Sequence, residues 1–161
     1  MITIFIRPIH PSDYEALIEL DNLVWNETNS PSSIFWPSLE EFAKSRNRDE
    51  FVAVVDGVAR GFISYKSPTP LPSNKHVWEL SIGVHPIAQG KGIGRLLVKA
   101  VEERAKELGI QKLCLRVMAT NTEAIRFYKS CGFLEQGRLV KEFCIRGKFV
   151  DDLLMYKMVN Y

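Results

Sequence analysis

Three glycines, Gly90, Gly92 and Gly94, occupy every second position of QGKGIG (Gln89 to Gly94), between the apolar stretch KHVWELSIGVHP and a long amphipathic run. A strand that stops before glycines, which then open a helix, aims several backbone N–H groups and the positive helix end at one point, and that point suits a phosphate. Two common phosphate loops do not fit. A Walker A loop needs Ser or Thr after Gly-Lys, whereas Gly92 follows Lys91 and Arg95 follows Gly94. The dinucleotide fingerprint begun at Gly90 requires a sixth-position glycine, where Arg95 stands. Glu79 is the single carboxylate of KHVWELSIGV; strand alternation puts it on one face with Ser81 and Gly83, opposite Trp78, Leu80 and Ile82. Cys114, Cys131 and Cys144 form no CxxC pair, no cysteine has a histidine nearby in sequence, and His10, His76 and His85 read as surface or turn residues. The sequence therefore suggests neither a metal site nor a cysteine nucleophile.

These residues need elements to position them. ITIFIRPI reads as a β-branched first strand ended by Pro8 and Pro11, with Ser12-Asp13 as the cap of a helix through SDYEALIELDNLVW. An aromatic-rich, Pro-bounded loop follows. SLEEFAKSR reads as a short helix capped by Ser38 with Glu41 at the capping-box position. EFVAVVDGVARGFISYK is a hairpin about Asp56-Gly57, and KHVWELSIGVHP is a strand that stops at Pro86. From Ile93, Leu96, Leu97, Ala100, Val101, Ala105 and Leu108 keep helical spacing up to Gly109. QKLCLRVMA is a strand, TNTEAIRFYKSC a helix ending at Gly132, and two strands turn at Arg146-Gly147. The order β-α-α-β-β-β-α-β-α-β-β describes one mixed α/β domain over residues 1–161.

VHPIAQGKGIGRLL resembles the acyl-CoA-binding signature of the GNAT acetyltransferase superfamily, Gln/Arg-x-x-Gly-x-Gly/Ala after a strand, with Gln89, Gly92 and Gly94 at its defining places. NTEAIRFYKSCGF is similar to the family's second signature through Asn121, Ala124, Phe127, Tyr128, Gly132 and Phe133. The resemblance runs from about Ile2 to Val159 and implies the GNAT fold, a mixed, mostly antiparallel sheet flanked by helices, with acetyl-CoA as co-substrate and no metal. It implies that the amides of Gly90, Lys91, Gly92, Ile93, Gly94 and Arg95 wrap the pyrophosphate, with Lys91 and Arg95 adding charge. A bulky residue at Gly92 or Gly94 is then expected to abolish CoA affinity and leave the fold intact.

The implied chemistry moves an acetyl group from a thioester directly to a primary amine. The resemblance gives the pantetheine to the backbone of Ile82, Gly83 and Val84, the oxyanion hydrogen bond to the Val84 amide, and the general acid to Tyr128. Asn121 sits near the pantetheine in the family and also suits a helix cap. Glu79 is the candidate base, because several relatives use a glutamate on that strand. Neutralising a lysine-like amine at pH 7 costs roughly 4–5 kcal/mol and an α-amine only about 1–1.5, so an α-amine has less need of a base. Ribosomal-protein alanine acetyltransferases carry a glutamate where Arg116 stands, which speaks against that branch.

In the family the acceptor pocket is built from the first two helices and the last strand pair. Here those parts offer Trp25, Phe35, Trp36, Phe143 and Phe149 with Glu27, Asp151 and Asp152, which suit a cationic amine and equally a core. The acceptor stays open between a small-molecule amine and a protein N-terminus. A net charge of +2 gives no bulk reason to expect nucleic acid or an anionic membrane as partner. No stretch approaches the ~20 apolar residues of a membrane span, the N-terminus shows no basic leader, and the unpaired cysteines suit a reducing cytoplasm. Homodimers are common among relatives, but the sequence marks no apolar seam. The competing readings are a non-catalytic acyl-CoA sensor or interaction domain and a nucleotide-binding module.

Overall fold

The structure is a computed structural model that describes residues 1–46 and 49–160. Its elements are β1 (Ile4–Pro8), α1 (Tyr14–Val24), α2 (Leu39–Lys44), β2 (Asp49–Val55), β3 (Val58–Lys66), β4 (Val77–Val84), α3 (Ile93–Glu107), β5 (Lys112–Met118), α4 (Thr122–Ser130), β6 (Leu134–Ile145) and β7 (Lys148–Met158). This is the order that periodicity and turn chemistry predict. Both hairpin turns carry paired positive φ values, Asp56 at 48° with Gly57 at 83°, and Arg146 at 50° with Gly147 at 78°. Two successive left-handed residues match the twist of the flanking strands.

The seven strands form one sheet in the order β1-β2-β3-β4-β5-β7-β6, antiparallel except for the parallel β4–β5 pair. One face packs against α3 and α4 through Leu80, Ile93, Leu97, Val101, Leu113 and Phe133. The other carries α1 and α2 through Leu17, Leu20, Phe42, Val52 and Phe62. Gly83 belongs to this second face: an added Cβ would lie 2.7 Å from Phe62 Cε1 and 3.3 Å from Leu20 Cδ2. The alternation expected of Glu79, Ser81 and Gly83 is therefore observed, because the β3–β4 ladder runs from Lys66↔Glu79 to Gly61↔Val84 without a shift.

The start of α1 differs from expectation. The His10 ring accepts from the Ser12 N–H and the Asp13 carboxylate from the His10 N–H, so the capping box sits one turn earlier, on a 3₁₀ turn over Pro11–Asp13. Asp13 is instead clamped by both terminal nitrogens of Arg7, each at 2.7 Å. Ser38 caps α2 as predicted, accepting from the Glu41 N–H at 3.2 Å. Strand β6 contains a wide bulge in which Val140, Lys141 and Glu142 stand opposite Asp151 alone. Asp151 holds it, accepting from the Lys141 N–H and the Arg138 guanidinium at 2.8 Å each. No helix of the described residues is long and apolar enough to cross a membrane.

Candidate active site

The parallel pairing of β4 with β5 lasts only from Val77↔Lys112 to Glu79↔Cys114, although the strands continue to Val84 and Met118. They diverge beyond Glu79. A cavity of about 950 Å³ opens between them, lined by β4 from Leu80 to Val84, by the glycine loop, by the end of β5 and by α4. The hydrogen-bond phase of β4 decides what faces it. The His85 N–H donates to the Arg60 carbonyl at 2.8 Å, which makes Val84 and Gly61 a non-hydrogen-bonded pair of the antiparallel ladder. Leu80, Ile82 and Val84 therefore turn their N–H groups away from β3; that of Leu80 closes the last β4–β5 rung, at Glu79↔Cys114, and those of Ile82 and Val84 face the gap.

At the mouth of the gap, a 3₁₀ turn over Pro86–Ala88 feeds the glycine loop. His85 caps that turn: its Nδ1 accepts from the Ile87 N–H at 3.1 Å, so Nε2 carries the proton and donates to Glu19 at 3.1 Å. It is buried rather than a surface residue, its 3₁₀ cap role keeping the ring inside. Gln89 Nε2 donates to the Val84 carbonyl at 3.1 Å and so ties the loop to the strand end. Gly90 and Gly92 have φ values of 79° and 76°, a conformation that costs other residues roughly 1–2 kcal/mol. Gly92 is the N-cap of α3, and the first helical bond runs from the Leu96 N–H to the Gly92 carbonyl. The N–H groups of Ile93, Gly94 and Arg95 thus have no partner within the helix. A Cβ at Gly90 or Gly92 would meet nothing within 4 Å, so both positions border open space.

Gly94 has a packing role beyond the one expected. A Cβ there would lie 2.9 Å from Phe127 Cζ, so its missing side chain lets α3 and α4 touch. The expectation that a bulky residue at Gly94 leaves the fold intact is corrected: the aromatic ring of the neighbouring helix fills that space. Arg95 lines the cavity and is held against α4, donating to Ser130 Oγ at 2.9 Å. The Lys91 ammonium instead donates to the Ile87 carbonyl at 3.1 Å, and Lys91 is not among the cavity-lining residues.

Asn121 and Tyr128 both line the cavity from α4. The Asn121 side chain accepts from the Ala124 N–H at 3.2 Å, fulfilling the cap role. Tyr128 is 9% exposed, between Phe127 and Phe133. Burial pushes its phenol well above the ordinary value, with Cys131 adding a smaller effect in the same direction. The phenol therefore keeps its proton at neutral pH. Glu79 sits at the closed end where the strands separate and is not among the lining residues; its charge reaches Cys114, whose thiol is pushed up first by burial and then by Glu79. The carboxylate that does line the cavity from β7 is Asp152, buried at 3% exposure and held by Arg116 Nε at 2.6 Å.

A second concavity of about 350 Å³ lies on the α1 side and shares Trp25 and Ser81 with the first. Phe35 and Trp36 line it with Trp25, and Phe143 lines the larger cavity. The other candidates lie elsewhere: Glu27 pairs with Arg146 at 2.8 Å, Asp151 holds the β6 bulge, and Phe149 is exposed under Lys141. The residue that sequence reasoning missed is Asp21. Its carboxylate accepts the indole N–H of Trp25 and of Trp36, each at 2.9 Å. The available signal was a carboxylate at the i+4 position from Leu17 and i−4 from Trp25, on the apolar stripe of α1.

An α/β sheet split between two parallel strands, with a glycine loop and helix N-terminus at the split, is the architecture that the GNAT resemblance implies. The sequence model described as the acetyltransferase (GNAT) family matches residues 14–133, and the chain belongs to that family. A spermidine N(1)-acetyltransferase of Vibrio cholerae is 39% identical over 79 residues, 48% of this chain and 46% of the relative, so the chain spans about half that relative's length. A crystal structure from Streptococcus mutans UA159 is 34% identical with a TM-score of 0.89, covering 97% of this chain and 99% of that one. A Salmonella typhimurium structure solved with its cofactor acetyl-CoA has a TM-score of 0.85 at 21% identity, covering 99% and 95%, and shares the fold.

Proposed function

We propose that the protein is an N-acetyltransferase that transfers the acetyl group of acetyl-CoA directly to a primary amine in a ternary complex. The observation that carries this reading is a pair of N–H clusters on the 950 Å³ cavity, Ile82 and Val84 on β4 and Ile93, Gly94 and Arg95 at the start of α3. The residues present fit acetyl-CoA. Gly90 and Gly92 leave room for a pyrophosphate against the backbone, and Ile93, Gly94 and Arg95 supply free amides at a helix N-terminus. Bound acetyl-CoA would supply the activated acetyl thioester. The Salmonella neighbour's acetyl-CoA and the amine acceptor in the name of the Vibrio relative support both halves of the reading.

In this mechanism Ile82, Gly83 and Val84 hold the pantetheine as an added strand, and the Val84 N–H donates to the carbonyl oxygen as negative charge develops there. Tyr128 holds a proton on its Oη for the departing sulfur; its burial keeps that proton in place until it is needed. Glu79 takes the proton lost by the amine, from the same strand face as Ser81. Asn121 fixes the start of α4 and thereby the position of Tyr128. The test is thiol release from acetyl-CoA over a panel of amines, beside thermal shifts with ATP, NAD and acetyl-CoA. Amine-dependent thiol release with a selective acetyl-CoA shift is expected. A shift without turnover would replace the enzyme by an acyl-CoA sensor, and a larger shift with ATP or NAD would overturn both.

A further inference from the structure

Asp21 is 6% exposed, and both its oxygens accept from neutral indole N–H groups. Indole donors ease the desolvation of a carboxylate but bring no counter-charge, and an isolated buried charge is costly. Among the described residues, no Lys, Arg or His forms an ion pair with Asp21. The other charged side chain lining this concavity, Arg46, bonds both oxygens of Glu50, at 2.9 and 3.1 Å, and its guanidinium lies 3.9 Å from the Phe42 ring centroid and 5.9 Å from that of Trp36. Asp21 thus keeps a carboxylate bonded to neutral donors among aromatic rings. An indole that donates to a carboxylate is also more electron-rich on its face, which strengthens its pull on a cation. Trp25 and Ser81 border both cavities, so this carboxylate adjoins the gap that faces the Val84 amide.

We propose that Asp21 with the indoles of Trp25 and Trp36 holds the distal ammonium of an acceptor that carries a second positive charge, a diamine or longer polyamine. The reacting amine of the same molecule then lies past Ser81, at the split of β4 and β5. This inference rests on the acceptor reading above and narrows it from primary amines to dicationic ones. The distal group stays protonated and is only bound, while the near group loses its proton and is acetylated.

The test compares kcat/KM for putrescine with butylamine, and for cadaverine with pentylamine, at saturating acetyl-CoA. Each pair differs only in the distal ammonium. The diamine is expected to exceed its monoamine by about tenfold or more, the scale of a desolvated cation–aromatic and charge contact. Asp21→Asn and, independently, Trp25→Leu are expected to bring that ratio close to one, with folding checked by circular dichroism. Trp25→Leu decides the matter if Asp21→Asn does not fold, since Asp21 then still holds Trp36. Equal kcat/KM within the pairs for the unaltered protein, or a ratio that survives the substitutions, overturns the proposal. Absence of thiol release with every amine would overturn acetyl transfer instead. The cage is then read by calorimetric titration of putrescine against butylamine in the presence of CoA, where tighter binding of putrescine supports it and equal affinities overturn it.

Discussion

Gly94 and Phe127 meet where α3 crosses α4, and the ring of Phe127 occupies the space that any side chain at position 94 would need, its Cζ 2.9 Å from an added Cβ. The three glycines of the loop thus divide into two kinds. Gly90 and Gly92 supply positive φ beside open space, whereas Gly94 supplies helix contact. Gly94→Val is expected to lower stability by about 1–3 kcal/mol through overpacking, and thermal melting of the apoprotein reads it. Gly92→Val should weaken acetyl-CoA binding through a side chain directed into the cavity, with a left-handed backbone cost of roughly 1–2 kcal/mol. Calorimetry separates the two: equal losses of affinity and stability in both variants would refute the division.

Tyr128→Phe removes a buried hydroxyl that has no hydrogen-bond partner among the described residues, so the fold should tolerate it. Turnover should fall by about 10²–10⁴ as the general acid is lost, with acetyl-CoA affinity little changed. Steady-state kinetics with calorimetry checks this. A fall of less than threefold in kcat would remove Tyr128 from the chemistry.

The same residue sets an alkaline limit. Burial raises the folded-state pKa of Tyr128 above its ordinary 10.0, so above that pH the unfolded chain loses a proton that the folded one keeps. Stability is then fully present below about pH 10 and declines as the pH rises beyond it. Tyr65, raised first by burial and then by Asp49, acts in the same direction. Alkaline denaturation should begin above pH 10, and Tyr128→Phe should move its midpoint upward; an unchanged midpoint would contradict the shift.

At the acid end the relevant pair is Asp13 and Arg7. Burial pushes the Asp13 carboxyl up, but the Arg7 hydrogen bonds, the His10 N–H and the nearby positive charge together outweigh it and hold the group below its ordinary 3.8. Its contribution is present above pH 3.8 and is lost as the pH falls through the lowered value. Asp13→Asn is expected to cost about 2 kcal/mol at neutral pH, the scale of a charge-assisted pair, and to flatten acid unfolding of this part of the curve. Urea melts at pH 7 and pH 3 check it, since the two proteins should differ less at the lower pH.

Glu79→Gln keeps the shape of the side chain and removes the proton acceptor. A loss of about 10²–10⁴ in kcat and disappearance of the acid limb of the pH–rate profile are expected. If the profile is retained, the base lies elsewhere; Asp152, the buried carboxylate that lines the larger cavity, is the next residue to substitute.

Much of this was legible locally. Helical spacing from Ile93 to Leu108, the Asp-Gly and Arg-Gly turns, and the alternation of β4 each depend on neighbours a few residues away, and the structure follows them. Two inferences were displaced by other partners near in the chain. Asp13 was available as a helix cap, but Arg7 and the His10 N–H engage its carboxylate. Lys91 was available to an anion, but the Ile87 carbonyl takes its ammonium.

The sequence by itself determined the element order, the glycine loop between β4 and α3, and the presence of a phenol two helical turns after Asn121, because these depend on backbone preference and fixed spacing along the chain. Only the tertiary structure decided that β4 and β5 part after Glu79, that Gly94 makes room for Phe127, and that Asp21 gathers Trp25 and Trp36. The first two join segments more than thirty residues apart and the third brings Trp36 to a carboxylate fifteen residues before it, and packing and hydrogen-bond satisfaction across such separations leave no periodicity to read.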